Sequence, residues 1–343
     1  MKLAAILAVG TMALAACGGG KSVSGDDDAS DKKSLKVGLA YDIGGRGDKS
    51  FNDAAAAGLD KVKADLDLQV KDLSAKANEP PADKEERLRL LAQGGYNPVI
   101  AVGFAYAESL TKVSKEFPDT KFGIVDGVVE GATNVTGLVF AEEQGSFLVG
   151  AAAALKTKKN NVGYIGGCLV PLLQKFQAGF AAGAKAVKPN ITIQVKYLSN
   201  PPQCTGFNDP AAGKTTADGM YDTADVIYAA AGGSGSGVFE AAKANNALAI
   251  GVDSDQYQSA DPAVRDVIMT SMLKRVDVAV FDFVKGVGED QFKAGTEVFD
   301  LKVDGVGYST SGGQVDDIKS KLEDYKQQII DGKIKVPDKP AAA

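Results

Sequence analysis

Residues 35–73 read LKVGLAYDIGGRGDKSFNDAAAAGLDKVKADLDLQVKDL, and this stretch decides the fold class. A short apolar run, Leu35–Tyr41, leads into a glycine-rich loop. An alanine-rich amphipathic stretch, Asn52–Asp65, and a second apolar run, Leu68–Leu73, follow. The outer runs have strand character and the middle has helical periodicity, so the unit is strand–helix–strand, with parallel strands under a covering helix. The same alternation continues outward. Strands are expected at Pro98–Gly103, Lys121–Val125, Val135–Phe140, Val162–Ile165, Ile191–Leu198, Asp225–Ala229, Leu248–Val252, Val267–Met272 and Val298–Val303. Helices are expected at Lys84–Gln93, Ala107–Phe117, Glu142–Lys156, Pro171–Val187 and Val276–Val287. Such alternation means an α/β fold with helices on both faces of parallel sheets. There are too many strands for one open sheet, and two doubly wound lobes with a hinge suit the length better. Ligands of such sheets bind beyond the carboxyl ends of the strands, so the residue after each strand is a candidate.

The 343-residue chain has no histidine and a formal net charge of −6. That excludes Ser-His-Asp and Cys-His nucleophile systems, histidine metal sites and histidine general bases. An acidic body has no electrostatic pull toward nucleic acid or an anionic bilayer. The aspartates stand singly on separate loops, so neither a metal site nor a cofactor is expected.

Met1 and Lys2 precede an apolar run, Leu3 to Ala16, broken only by Gly10 and Thr11. As a helix it would reach roughly 21 Å against a hydrocarbon core of ~30 Å, so residues 1–16 fit a signal peptide and not a spanning helix. Leu14-Ala15-Ala16-Cys17 matches the bacterial lipobox, which makes Cys17 the candidate for diacylation and for the mature N-terminus. Two acyl chains anchor stably where one is marginal, which places the protein on the outer face of a cytoplasmic membrane. The polar segment up to Ser34 is expected to be a flexible tether. Cys168 and Cys204 form an even pair in an exported chain, each just past an expected strand at the same end of neighbouring units. A disulfide and two free thiols are both compatible with that placement.

Two phosphate-loop look-alikes fail on spacing. Gly213-Lys214-Thr215 lacks the Walker glycine, since Asn208 stands in its place, and Gly233-Ser234-Gly235-Ser236-Gly237 has the wrong period for a dinucleotide loop. The loop from Asp42 to Asn52 is the stronger signal. Its glycines let backbone approach a ligand, Ser50 is expected to cap the helix, and Phe51 with Asn52 offers a stacking face beside an amide. Asp126, Gly232-Gly233, Asp253 and Lys274 stand at later strand ends. Carboxylates there suit an uncharged ligand rich in hydroxyls, because bonds to an ionised acceptor are the stronger ones.

DIGGRGDKSFNDAAAAGL (42–59), the segment from Gly166-Gly167 through Pro171 and Phe176 to Gly179-Phe180, GFNDPAAGK (206–214), ADVIYAAAGGSGSGVFEAA (224–242) and IGVDSDQ (250–256) occur in that order. Together they resemble the basic membrane protein family, lipoprotein solute receptors similar to the purine nucleoside receptor of bacterial ABC importers. The resemblance implies a type I periplasmic-binding fold with three crossovers. Lobe 1 would comprise 35–138 plus 266–298, lobe 2 would comprise 139–265 plus 299–333, and 334–343 would be a frayed tail. It also implies that Asp42 reads the base, Phe51 stacks on it and Asn52 bonds base or ribose. Asp126 and Asp253 would hold ribose hydroxyls, Lys274 would complete the sugar end, and Gly232-Gly233 would border the ligand. The second aromatic face would come from Phe176 or Phe207, with Tyr228 a third candidate. The expected role is then a monomeric, lipid-anchored receptor delivering nucleosides, purines preferred, to an ABC permease and its ATPase, without turnover. The alternatives are a sugar-binding or ligand-sensing lipoprotein of the same fold, and a nucleoside-processing enzyme.

Overall fold

The computed structural model describes residues 35–76 and 79–341; the expected signal peptide, Cys17 and the tether lie outside them. The chain first lays down β1 (Lys36–Ala40), β2 (Gln69–Leu73), β3 (Val99–Val102), β4 (Phe122–Val125) and β5 (Val135–Phe140). It then forms β6 (Asn161–Gly166), β7 (Thr192–Tyr197), β8 (Val226–Ala230), β9 (Leu248–Asp253) and β10 (Ile268–Lys274). β11 (Gly295–Phe299) and β12 (Val306–Tyr308) come last. These make two six-stranded sheets, β11-β5-β4-β3-β1-β2 and β12-β10-β9-β8-β6-β7. Every pairing is parallel except β10 with β12. Central strands such as β3 (VIAV) and β8 (VIYAA) are buried on both faces, as helices on both sides demand, whereas the edge strands β2, β7 and β11 carry polar residues.

The chain passes between the lobes after β5, after β10 and after β11. The helix Glu142–Lys156 is buried along most of its length. The helix Pro171–Val187 crosses it at Gly150, Gly179 and Gly183, where an added Cβ would fall within 2.1 Å of a facing carbonyl oxygen. Only glycine permits that approach.

Three expectations need correction. Residues 266–298 do not all belong to the first lobe, because β10 lies between β9 and β12 in the second sheet; the helix Val276–Gly288 is the part that packs on the first lobe's helix Phe51–Leu66. The strand expected at Val298–Val303 runs instead over Gly295–Phe299. Asp300 ends it, its side chain accepting from the N–H groups of Lys302 and Val303 to close a helical turn. β12, with three residues, was too short to show as a periodic run. The tail is not frayed at its start, since Ile334 and Val336 pack against the core.

Candidate functional site

The loop after β1 is organised by side chains within it. Asp48 caps the first helix: Oδ1 accepts from the N–H groups of Ser50 and Asp53, and Oδ2 from the N–H and side-chain amide of Asn52. Ser50, the expected cap, is turned away. Its hydroxyl donates to Asp253 Oδ2 of the second lobe at 2.6 Å, because the left-handed turn at Lys49 brings Asp48 to the helix end first. Asn52 is 2% exposed and its amide is used locally, accepting from Asp42 N–H and donating to Ile43 O and Asp48. Asp42 accepts from Ile43 N–H through Oδ1. Its Oδ2 lies where a Cβ on Gly103 would fall 2.5 Å away, so glycine after β3 makes room for this carboxylate. Burial pushes the Asp42 carboxyl up to about 6.

β4 and β9 occupy corresponding places in the two sheets, and an aspartate with left-handed backbone stands at the end of each, Asp126 (φ 62°) just after β4 and Asp253 (φ 64°) as the last residue of β9. Each is gripped from the opposite lobe. Lys274, at the end of β10, donates to Asp126 Oδ2 at 2.5 Å, while Ser50 donates to Asp253. No donor among the described residues reaches Asp126 Oδ1, which is buried. Lys274 Nζ also lies 3.8 Å from Glu142 Oε1, and Lys175 donates to Glu142 Oε2 at 2.5 Å. Burial alone would lower the Lys274 ammonium, but Asp126, Glu142 and Asp253 outweigh it and hold it raised and charged. Burial pushes Asp253 up to about 6 and Glu142 up as well, with Lys274 opposing both shifts. The ammonium sits 4.8 Å from the Phe51 ring centroid and 5.5 Å from that of Phe176, so it joins the acidic end to the aromatic end.

Between the lobes lies a cavity that opens to solvent at its mouth. Asp42, Phe51, Asn52, Asp126, Phe176, Phe207, Gly232, Asp253 and Lys274 all line it. Aromatic rings from both lobes thus line one cavity with a group of carboxylates and an ammonium, an arrangement able to stack on a flat ring and accept from hydroxyls.

Residues 35–340 match the family described as Bmp, ABC transporter substrate-binding protein PnrA-like. The chain belongs to this family. Among relatives of this Bmp chain, the CD4+ T-cell-stimulating antigen of Listeria innocua is 36% identical over 99% of this chain and 98% of that one. The ABC transporter nucleoside-binding protein BmpA of Lactococcus lactis is 34% identical over 90% of each. An ABC transporter solute-binding protein of Aeropyrum pernix superposes with a TM-score of 0.76 at 29% identity, covering 88% of this chain and 94% of that one. The lobes are those of the type I periplasmic-binding fold.

Two of the expected contacts of this Bmp protein lie elsewhere. Gly233 is not among the residues lining the cavity; it packs beside Asn208, the Phe207 carbonyl and Asp48 of the first lobe. Tyr228 is fully buried, packed on Tyr164 and Phe180 with its hydroxyl beside Ser146, because its side chain points into the sheet's covered face. Phe104, Asp48 and the pair of buried Glu142 with half-buried Lys175 were not singled out in sequence. Phe104 was open to the same reasoning as the others, standing one residue past Gly103 at the end of β3. Glu142 carries no such signal, because its partners come from distant segments. Cys168 and Cys204 form a disulfide, Cα atoms 5.1 Å apart, which decides between the two states open in sequence.

Proposed function

We propose that this Bmp protein captures nucleosides, purines preferred, in the interlobe cavity and delivers them to an ABC permease and its ATPase. The observation that carries this reading is the acidic end of the cavity: two strand-end carboxylates beside an ammonium, one with a buried oxygen that no donor among the described residues reaches. An unmet buried acceptor costs about 1–3 kcal/mol, which a sugar hydroxyl would recover. Phe51 from one lobe and Phe176 and Phe207 from the other supply stacking faces worth ~1–3 kcal/mol per base. Asp42 is the acceptor for base N–H groups, and Asn52 acts by shaping the loop that presents it. The ligand touches both lobes and so stabilises the closed form, which the permease would recognise. The signal peptide would direct export, and the diacylated Cys17 would then hold the protein, as a monomer, on the outer face of the membrane.

Calorimetry on protein unfolded and refolded to strip carried-over ligand tests the reading, with inosine, adenosine, guanosine, cytidine, ribose and glucose as probes. Micromolar or tighter binding of nucleosides, about −8 kcal/mol or better, is expected. Heat from glucose alone would replace the ligand and keep the fold. Fatty-acid labelling of the wild type but not of Cys17→Ser checks the anchor.

A further inference from the structure

We propose that the Cys168–Cys204 bridge is a positioning element for Phe207, and through it sets how firmly the second lobe grips a flat ring; this rests on the nucleoside reading above. β7 is an edge strand, so the loop that leaves it has sheet on one side only. From Asn200 to Pro210 the side chains are exposed except Cys204, which is buried, and Phe207, which is half-buried. The loop therefore has no apolar anchor of its own other than the ring that lines the cavity. The bridge supplies one. Cys204 stands three residues before Phe207, and Cys168 stands next to Gly167, the residue beneath the Phe207 ring. A Cβ on Gly167 would fall 2.4 Å from that ring, so the ring rests directly on backbone. The covalent tie thus joins the two segments whose contact seats the ring.

Besides the backbone bond from Leu169 N–H to Ser199 O at the loop's start, the remaining ties among the described residues are to hydroxyls. Gly206 N–H donates to Ser199 Oγ at 3.0 Å and Asp209 N–H to Ser234 Oγ at 2.7 Å, with Ser199 Oγ donating in turn to Gly167 O. Ser234 Oγ, itself buried, also donates to Gly206 O at 2.8 Å, and each such neutral bond contributes only modestly net of the water bonds it replaces. Across the cleft the Phe207 ring meets Phe104 of the first lobe edge-on, with centroids 6.5 Å apart. A loosened Phe207 would therefore blunt both the stacking face and the contact between lobes.

Two measurements on C168S/C204S test this. Hydrogen exchange needs no ligand: the Gly206 and Asp209 amides should lose protection by about 10-fold or more, with β6 and β8 amides unchanged. Inosine affinity is then compared in a cycle with Phe207→Ala. Removing the bridge should weaken binding about 5- to 20-fold when Phe207 is present and leave Phe207→Ala unchanged, as expected if the bridge acts through one stacked ring. Gly167→Ala, which keeps the bridge and pushes on the ring, should reproduce the loss. Unaltered exchange at Gly206 and Asp209 would overturn the proposal whatever the ligand. So would an equal loss of inosine affinity in the Phe207→Ala background, which would mark the bridge as structural only. Wild-type protein that ignores inosine while the exchange result holds would sink the nucleoside reading and leave the bridge's hold on Phe207 standing.

Discussion

In the first lobe the site loop is held by Asp48, whose carboxylate accepts from Ser50, Asn52 and Asp53, all within five residues of it. In the second lobe the corresponding loops after β6 and β7 come from segments 36 residues apart and are tied by a disulfide. The difference follows from chain geometry. A loop that turns straight into its helix can be ordered by an N-terminal cap, since the donors it must satisfy are its own neighbours. Two loops that meet only after a helix and a strand have intervened have no such local partner, and a long-range tie has to replace it. The strand-end aspartates show a second contrast: equivalent in position, Asp126 is gripped by an ammonium and Asp253 by a hydroxyl.

Asp126→Ala should have the largest effect. It strips Lys274 of its closest counter-ion inside a buried site, where breaking such a pair costs about 3–5 kcal/mol. Asp253→Ala removes the Ser50 hydroxyl's acceptor and a longer-range partner of Lys274 that Asp126 and Glu142 still neutralise, and should weaken inosine by about 10- to 100-fold while sparing more of the stability. Urea melts and calorimetry on the two variants check this, and equal stability losses would dissolve the contrast between the aspartates.

Removing the bridge with C168S/C204S should cost about 2–4 kcal/mol under the chain-entropy account. Asp48→Ala should cost about 1–2 kcal/mol, the range for a lost helix cap. Thermal melts rank the two, and a larger loss from Asp48→Ala would reverse the roles assigned to covalent and capping ties.

The smallest effect expected is on pH. Asp42 and Asp253 titrate near 6 when folded, above the ordinary 3.8, so the folded protein binds their protons more tightly than the unfolded chain does. Unliganded stability should therefore rise as the pH falls from 7 toward 5. Nucleoside affinity should fall over the same interval, because hydroxyl and N–H donors bond more strongly to ionised carboxylates than to protonated ones. Affinity flat from pH 7 to 5 would remove Asp42 and Asp253 from the ligand's partners.

Much of the site was legible in sequence because the rule that ligands sit at strand ends turns a one-dimensional pattern into positions. Asp42, Asp126, Gly232, Asp253 and Lys274 all follow or finish apolar runs, and all reach the cavity. The same rule gave too much credit to Gly233, one residue further on, which faces a loop instead. Ser50 was misjudged for a different reason: Ser and Asp are both good caps, and only the turn at Lys49 decides which arrives.

Local order in this protein is written in neighbouring residues. Alternating apolar runs, glycine-rich turns and the aspartates that punctuate them follow from side-chain periodicity and turn chemistry, which act over a few residues. What the tertiary structure alone decided are the meetings of distant segments: Lys274 with Asp126, Ser50 with Asp253, Glu142 with Lys175, β10 with the second sheet, and Cys168 with Cys204. Each depends on how two lobes, built from interleaved segments, bring their strand ends face to face, and no window of sequence contains both partners.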